Sequence, residues 1–375
     1  MKKIFMYVNV DWFFFSHRLP IAESALKNNI LMTVFSEFTQ HHSSDYSGFT
    51  LEDSVLRRKN TSMASLACEF IRVFFQVKNG KPDLVHAVTI KPILFLGVIC
   101  RLLGVPFIGA ISGLGPAFHT NGWRAWLRLK IIVSLYKIIF GGANSFAICQ
   151  SEHDRDVLVE KHILSKNNVL LVHGSGVDLD KFSPSAKLPS VKPFVLMASR
   201  ILLDKGVVEF CKASRVLTDG LFKHVDFKLA GSIDELSPSS LSLLEIERLC
   251  LDNNVEYLGN VSCVNTLLAS AELFVYPSYY PEGIPKVLLE ASACGAPIVT
   301  TNHPGCRDAI IENQTGVLVE PRDYLALANK IESLLGNPDR SHNMGLRGRV
   351  LAEEFYGVEH VVSAHYKLYR NLMNV

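Results

Sequence analysis

The chain has no Cys-x-x-Cys pair anywhere in its 375 residues, and its 8 cysteines are scattered. Without ligand spacing they make no metal knuckle, and without clustering they make no disulfide frame. With Cys68, Cys149, Cys211 and Cys294 in apolar stretches, they read as buried thiols of a reducing compartment. Also missing is an unbroken apolar run of the ~20 residues that a membrane-spanning helix needs. The longest apolar region, 92–118, is interrupted by Arg101, Pro106 and glycines, and fits a buried helix followed by a buried strand. Near the start, Asn9 and Asp11 break the apolar run and no small-residue cleavage site follows. The chain is therefore expected to carry no secretory leader and to be cytoplasmic. Acid is absent from one long stretch: no Asp or Glu lies between Asp83 and Glu152, although Lys91, Arg101, Arg124, Arg128, Lys130 and Lys137 do. The net charge of +2 hides this asymmetry. Residues 1–190 hold 21 Lys/Arg against 14 Asp/Glu, a surplus of +7, and the remainder hold 17 against 22.

What is present is the composition of an ordinary folded protein, 48% hydrophobic and 20% charged, long enough for two domains with a core each. Short β-rich runs alternate with helical patterns throughout, which predicts βα units and parallel sheets. Strands are expected at 3–10, 30–36, 83–87, 107–112, 145–149 and 169–172, with helices over 18–28, 62–78, 93–103 and 123–140. The proline-bounded stretch 183–193 reads as a linker. The pattern then restarts, with strands at 194–198, 227–230, 256–258, 273–276 and 297–300 and a helix over 324–335. The expected organisation is α/β, with doubly wound domains over 1–185 and 186–355 and a final helix over 356–375. A ligand belongs at the carboxyl ends of such strands.

The most informative segment is Pro281-Glu282-Gly283-Ile284-Pro285-Lys286-Val287-Leu288-Leu289-Glu290. Gly283 and Pro285 open an apolar helix expected to run to Gly295, with Pro285 at its first position, where a missing N–H costs nothing. The N–H groups of Gly283, Ile284 and Lys286 would then face outward at the positive end of the helix dipole, a seat for phosphate. Glu282 precedes that seat. Glu290, two turns along at about 3.6 residues per turn, lies on nearly the same side. One acid at a phosphate seat and another a helix pitch away suit a ligand with a diphosphate centre and hydroxyls at both ends, the shape of a nucleotide-sugar. Taken alone, the same pair would also fit the solvated face of an amphipathic helix.

Other segments add to it. The strand at 194–198 runs into Ser199-Arg200-Ile201-Leu202-Leu203-Asp204-Lys205-Gly206, which puts Arg200 and Lys205 at a strand's carboxyl end. There the planar fork of Arg and the point charge of Lys can neutralise a diphosphate. Val172-His173-Gly174-Ser175-Gly176-Val177-Asp178 is a glycine-rich loop that lets backbone approach a ligand, or simply turns the chain toward the linker. With Phe182, Pro277-Ser278, Gly295-Ala296-Pro297-Ile298-Val299 and Gly316-Val317-Leu318-Val319, these segments resemble glycosyltransferase family 4, in order and at family spacing over residues 170–335. Phe15-Ser16-His17-Arg18-Leu19-Pro20 and Pro82-Asp83-Leu84-Val85-His86 resemble the subgroup that builds bacterial surface polysaccharides.

The resemblance implies a retaining enzyme of GT-B architecture, two Rossmann-like domains facing a central cleft, with the final helix returning to the first domain. It implies that Arg200 and Lys205 bind the donor diphosphate, Glu290 the ribose hydroxyls and Glu282 the donor sugar, with Gly176 and the backbone of Gly283, Ile284 and Pro285 alongside. His119 is a candidate for the histidine that many relatives place near the reacting sugar, and His17 competes for that part. His17, Arg18 and Lys91 fall on the acceptor side. Charge grows on the leaving diphosphate as its bond to sugar C1 breaks, so fixed cations and a helix N-terminus aimed there favour the transition state. The expected donor is a UDP-linked hexose or N-acetylhexosamine, and the expected acceptor is a polyprenyl-diphosphate-linked saccharide of O-antigen, capsule or exopolysaccharide synthesis. Neither a cofactor, a metal ion nor a nucleic-acid partner is expected. Two other readings stay open. One is a GT-B epimerase acting on UDP-GlcNAc, or a phosphorylase. The other is a non-catalytic nucleotide-sugar-binding scaffold, against which the intact set of Arg200, Lys205, Glu282 and Glu290 speaks.

Two segments imitate other chemistry. Asp178-Leu179-Asp180 looks like a metal-binding Asp-x-Asp pair but lies inside the glycine-rich signature. Gly113-Leu114-Gly115-Pro116-Ala117-Phe118 looks like a dinucleotide fingerprint, yet it follows a late strand and lacks an acid ~20 residues on. The helix over 123–140 places Arg124, Arg128 and Lys130 on or beside one face, opening with Trp123 and Trp126. That describes a helix lying on an anionic membrane surface, or a core helix with one wet basic stripe. Phe13, Phe14 and Phe15, in the loop after the first strand, would add apolar surface. Peripheral association with the inner face of the cell membrane is therefore expected.

Overall fold

The computed structural model describes residues 1–38, 49–57, 62–115, 118, 122–185, 192–235 and 237–374. The chain divides into two compact units, residues 1–175 with 358–375, and residues 176–357. The division falls earlier than the expected boundary at 185, and the stretch read as a linker begins inside the second unit. Packing is the reason. The Val177 N–H donates to the Tyr356 carbonyl at 2.8 Å, and Phe182 is buried in the second unit's core. Arg349 Nη1 donates to the carbonyls of Leu179, Phe182 and Ala293, which ties the same segment down.

The first unit begins β1 (Lys2–Val10), α1 (Asp11–His17), α2 (Leu19–Lys27), β2 (Ile30–Glu37), β3 (Thr50–Asp53) and α3 (Met63–Gly80). It continues β4 (Leu84–Val88), α4 (Ile90–Leu103), β5 (Phe107–Ile111), α5 (Trp123–Phe140), β6 (Ser145–Cys149), α6 (Glu152–Glu160) and β7 (Val169–Leu171). Its described strands pair in parallel in the order β3-β2-β1-β4-β5-β6-β7. The second unit runs β8 (Phe194–Ala198), α7 (Val207–Asp219), β9 (Asp226–Ala230), α8 (Leu243–Asp252), β10 (Val255–Gly259) and α9 (Val264–Ser270). It goes on with β11 (Leu273–Tyr276), α10 (Lys286–Ala293), β12 (Ile298–Thr301), α11 (Pro304–Arg307), β13 (Gly316–Val319), α12 (Tyr324–Leu335) and α13 (Pro338–Leu351). Here the parallel order is β10-β9-β8-β11-β12-β13. The last helix, α14 (Val358–Met373), belongs to the first unit and packs on α2 and β4.

Each sheet is covered on both faces, so β4, β5 and β8 are buried along their whole length and read as continuous apolar runs. Alternate residues of one strand serve opposite cores. Phe5 and Tyr7 of β1 join Phe107 and Tyr136, while Ile4 and Met6 join Ile108 and Tyr369 of α14. The loop expected after β1 is instead the short helix α1. Phe14 is buried and Phe13 and Phe15 are half-buried, so these rings are core and not the free apolar surface that the sequence offers. All eight cysteines are free; Cys68, expected to be buried, is exposed on α3, Cys263 is also exposed, and the others are buried. Among the described residues no helix is long and apolar enough to cross a membrane.

Candidate functional site

Glycine lets three loops of the second unit meet at the carboxyl ends of their strands. After β8 the chain makes a tight turn over Leu203–Lys205 and closes it at Gly206 with φ of 80°. A Cβ there would stand 2.3 Å from the Pro277 carbonyl oxygen at the end of β11. After β9, a Cβ on Gly231 would stand 1.6 Å from the Ser199 carbonyl oxygen. The Tyr279 N–H completes the seam, donating to the Asp204 carbonyl at 2.9 Å. Because β9 and β11 flank β8 on opposite sides, these loops surround the point where the strand order reverses.

Lys205 is the hub. Its side chain is only 4% exposed, and its Nζ donates to the Tyr276 hydroxyl at 2.8 Å and pairs with Glu282 Oε1. The Tyr276 hydroxyl in turn donates to the same carboxylate oxygen at 3.2 Å. Burial, and then the neighbouring Glu282 charge, push the Tyr276 phenol well above its ordinary value, so it stays a donor. Arg200 Nη1 donates to Asp234 Oδ2 at 2.8 Å. The Tyr280 ring serves both cations, with Lys205 Nζ 4.7 Å and the Arg200 guanidinium carbon 5.9 Å from its centroid. Tyr276, Tyr280 and Asp234 were not singled out from the sequence. The tyrosines around Pro277-Ser278 and the acid three residues after Gly231 are the signals available in the sequence.

Pro285 is the cap of α10 and not its first residue, with ψ of 125° and its carbonyl accepting the Leu288 N–H at 3.0 Å. The helix's leading N–H groups are therefore those of Lys286 and Val287, not of Gly283 and Ile284. Ile284 is buried in the core, and the carbonyls of Glu282 and Gly283 press on α11. A Cβ at Gly305 would meet those oxygens at 2.6 and 2.2 Å. Glu290 is 12% exposed and lies 3.8 Å from Lys286 Nζ. Burial raises its carboxyl above the ordinary range, against the pull of Lys286 and Lys181, and burial lowers the Lys286 amine.

The remaining expected residues fall elsewhere. Gly176, with φ of 81°, opens the second unit. Lys91 pairs with buried Glu69 at 2.8 Å and donates to the Arg57 carbonyl at 2.7 Å, which ties α4 to its surroundings. Arg18 is 1% exposed and its pKa is lowered to about 10 by burial. His17 stacks on Phe13 with ring centroids 4.3 Å apart and hydrogen-bonds the Ser16 hydroxyl. His119 lies outside the described residues. Asp178 Oδ1 accepts the N–H groups of Asp180 and Lys181 in a local turn, and among the described residues no group of three or more His, Cys, Asp or Glu is placed to hold a metal ion.

In the first unit, α5 buries Ile132, Tyr136, Ile139 and Phe140 and exposes Trp123, Trp126, Leu127, Ile131 and Ile138. Arg124, Arg128, Lys130 and Lys137 are exposed with them. Arg124 lies over the Trp123 ring and Lys130 over that of Trp126, each at 5.4 Å.

Residues 178–350 match the model of the glycosyl transferases group 1, and residues 3–151 match that of the glycosyl transferase 4-like domain. The chain is 30% identical over 314 residues to N,N'-diacetylbacillosaminyl-diphospho-undecaprenol alpha-1,3-N-acetylgalactosaminyltransferase of Campylobacter jejuni, covering 80% of each. It is 22% identical over 288 residues to UDP-Gal:alpha-D-GlcNAc-diphosphoundecaprenol alpha-1,3-galactosyltransferase of Escherichia coli, covering 73% of this chain and 71% of that one. Among solved structures, a glycosyltransferase from Rickettsia africae superposes with a TM-score of 0.80 at 17% identity, over 99% of this chain and 98% of its own. Two Rossmann-like units, the cations at the strand ends of the second and these matches across both make the chain a GT-B glycosyltransferase belonging to family 4.

Proposed function

We propose that the protein moves a hexose or N-acetylhexosamine from a UDP-sugar to a saccharide carried on undecaprenyl diphosphate, with retention at the anomeric carbon. The observation that carries this reading is the Lys205–Tyr276–Glu282 assembly beside Arg200, set where β8, β9 and β11 end. As the bond from sugar C1 to the diphosphate oxygen breaks, negative charge builds on the leaving UDP. Lys205 and Arg200 stand beside the leaving group before its bond breaks, so the growing charge meets cations already in place. Glu282, oriented by two donors, accepts from a hydroxyl of the donor sugar, and Glu290 accepts from the ribose. In this reading the two cations and the start of α10 do the work that a divalent ion does in other transferases, so activity should survive chelator.

The relatives named for transfer to diphosphoundecaprenol-linked sugars support the acceptor class. The exposed aromatic and basic face of α5 supports work on an anionic bilayer, from the inner side of the membrane. The test is turnover of UDP-, GDP-, ADP- and dTDP-sugars with and without a bacterial lipid extract, and with EDTA. Transfer from one UDP-sugar into the lipid fraction, reduced more than about a hundredfold in Lys205→Ala, is expected. Conversion of UDP-GlcNAc without any lipid acceptor would instead establish an epimerase.

A further inference from the structure

Asp234 ends a loop whose place is fixed at several points, yet the family motif gives it no part. Gly231 abuts the Ser199 carbonyl, as described, and the Ile201 N–H donates to the Ser232 carbonyl at 2.9 Å. The Tyr257 hydroxyl donates to the Gly231 carbonyl at 2.8 Å from the other side. The segment 231–234 is thereby fastened to the segment that carries Arg200, and the carboxylate is delivered to the guanidinium. The pair is shielded: its side chains are 19% and 30% exposed, against 65% and 82% for the surface pair Asp252–Arg248.

Lys205 has a carboxylate of its own in Glu282. Each cation of the donor site thus already faces an internal carboxylate, and the four side chains together carry no net charge. A diphosphate brings several negative charges to cations that are engaged, so it binds by exchange of partners and not by filling a vacant positive hole. Arg200 is the cation that can exchange at lower cost, since its pair is the less buried at the cationic end.

We propose that Asp234 is a built-in substitute for the donor's diphosphate. It holds Arg200 in place while the site has no nucleotide, gives way when the nucleoside diphosphate arrives, and recaptures the guanidinium as UDP leaves. Asp234 acts through Arg200 and is a positioning residue. Its effect is to hold down affinity for the product, which favours release. This inference rests on the donor-site reading above.

Isothermal titration with UDP tests it on the full chain, comparing wild type with Asp234→Asn, Asp234→Glu and, as a surface control, Asp252→Asn. The Asn variant is expected to bind UDP about three- to tenfold more tightly, with stronger inhibition by UDP and a lower kcat in turnover, because a competing ion pair of this kind is worth a factor of that order. Glu at 234 restores the charge and should return the affinity toward wild type, and Asp252→Asn should leave it unchanged. If Asn disturbs the loop, seen as a lowered Tm, Asp234→Ser supplies the same comparison. Equal or weaker UDP binding in the neutral variants overturns the proposal, since a merely structural carboxylate yields loss and never gain. A wild-type protein that binds none of UDP, GDP, ADP or dTDP would overturn the donor-site reading instead.

Discussion

The surroundings of Glu290 resist a charge on its carboxyl. Burial raises its carboxyl, so the folded protein keeps that proton more firmly than the unfolded chain does, and ionisation costs stability as pH rises through the folded value. Glu290→Gln removes that cost together with the charged acceptor proposed for the ribose hydroxyls, leaving an amide oxygen in its place. The Tm at neutral pH is therefore expected to stay level or rise, while the KM for the donor increases about tenfold, the size of one lost charged hydrogen bond. A thermal melt and donor kinetics on one preparation check both halves. Arg200, Lys205, Glu282 and Glu290 were legible in the sequence because each lies a fixed distance from a Gly or Pro that marks a strand end or a helix start. Asp234, Tyr276 and Tyr280 were not, because their roles arise only when loops from three strands meet. That Arg18 is buried and Lys91 paired was not legible for a related reason: a cation's burial, and the partner that neutralises it, are set by distant residues.

Among the elements, α14 brings two titratable groups into a sealed place. His365 meets His86 of β4 with ring centroids 5.6 Å apart; Tyr369 hydrogen-bonds His86 Nδ1 at 2.7 Å, and Arg18 adds its charge. Burial first, then Arg18, lowers His365 to about 4, and burial lowers His86 well below its ordinary value. Both histidines are thus neutral in the fold but free to charge in the unfolded chain, so the stability they support is complete above about pH 6.5 and is lost as pH falls from there. His365→Leu should flatten part of that loss, retaining about 2 kcal/mol more than wild type at about pH 5, read from denaturant melts across pH. Elements with a strong period or composition were legible, and α5 and α12 have the bounds that the sequence predicts. The exposed four-residue β3 gave no alternation to detect, and the polar α13 gave no apolar stripe. The start of α1 carries no capping side chain, and its run of aromatics reads equally as loop.

At the scale of the molecule, the surplus of positive charge in residues 1–190 is concentrated where α5 also exposes its tryptophans. Flotation with vesicles containing anionic phospholipid should carry the protein upward, and neutral vesicles should leave it behind. Reversing Arg124, Arg128 and Lys130 to Glu is expected to abolish flotation, by about 1 kcal/mol per cation, without loss of UDP binding. Flotation that persists in this variant would remove α5 from that role. Two domains and their class were legible because the βα alternation visibly restarts after the prolines. The division at 175 was not, because what assigns residues 176–185 to the second unit is Val177 meeting Tyr356 and Arg349 gathering three carbonyls, contacts between segments far apart in sequence.

The thiols hold a practical consequence. Six of the eight are buried, and the two that are exposed fall one to each unit, Cys68 on α3 and Cys263 just before α9. A maleimide spin label or dye should therefore modify the native chain at one point per unit, with no residue replaced. Dipolar spectroscopy or energy transfer would then read the distance between those two labels, with and without UDP, in a chain that needs no substitution.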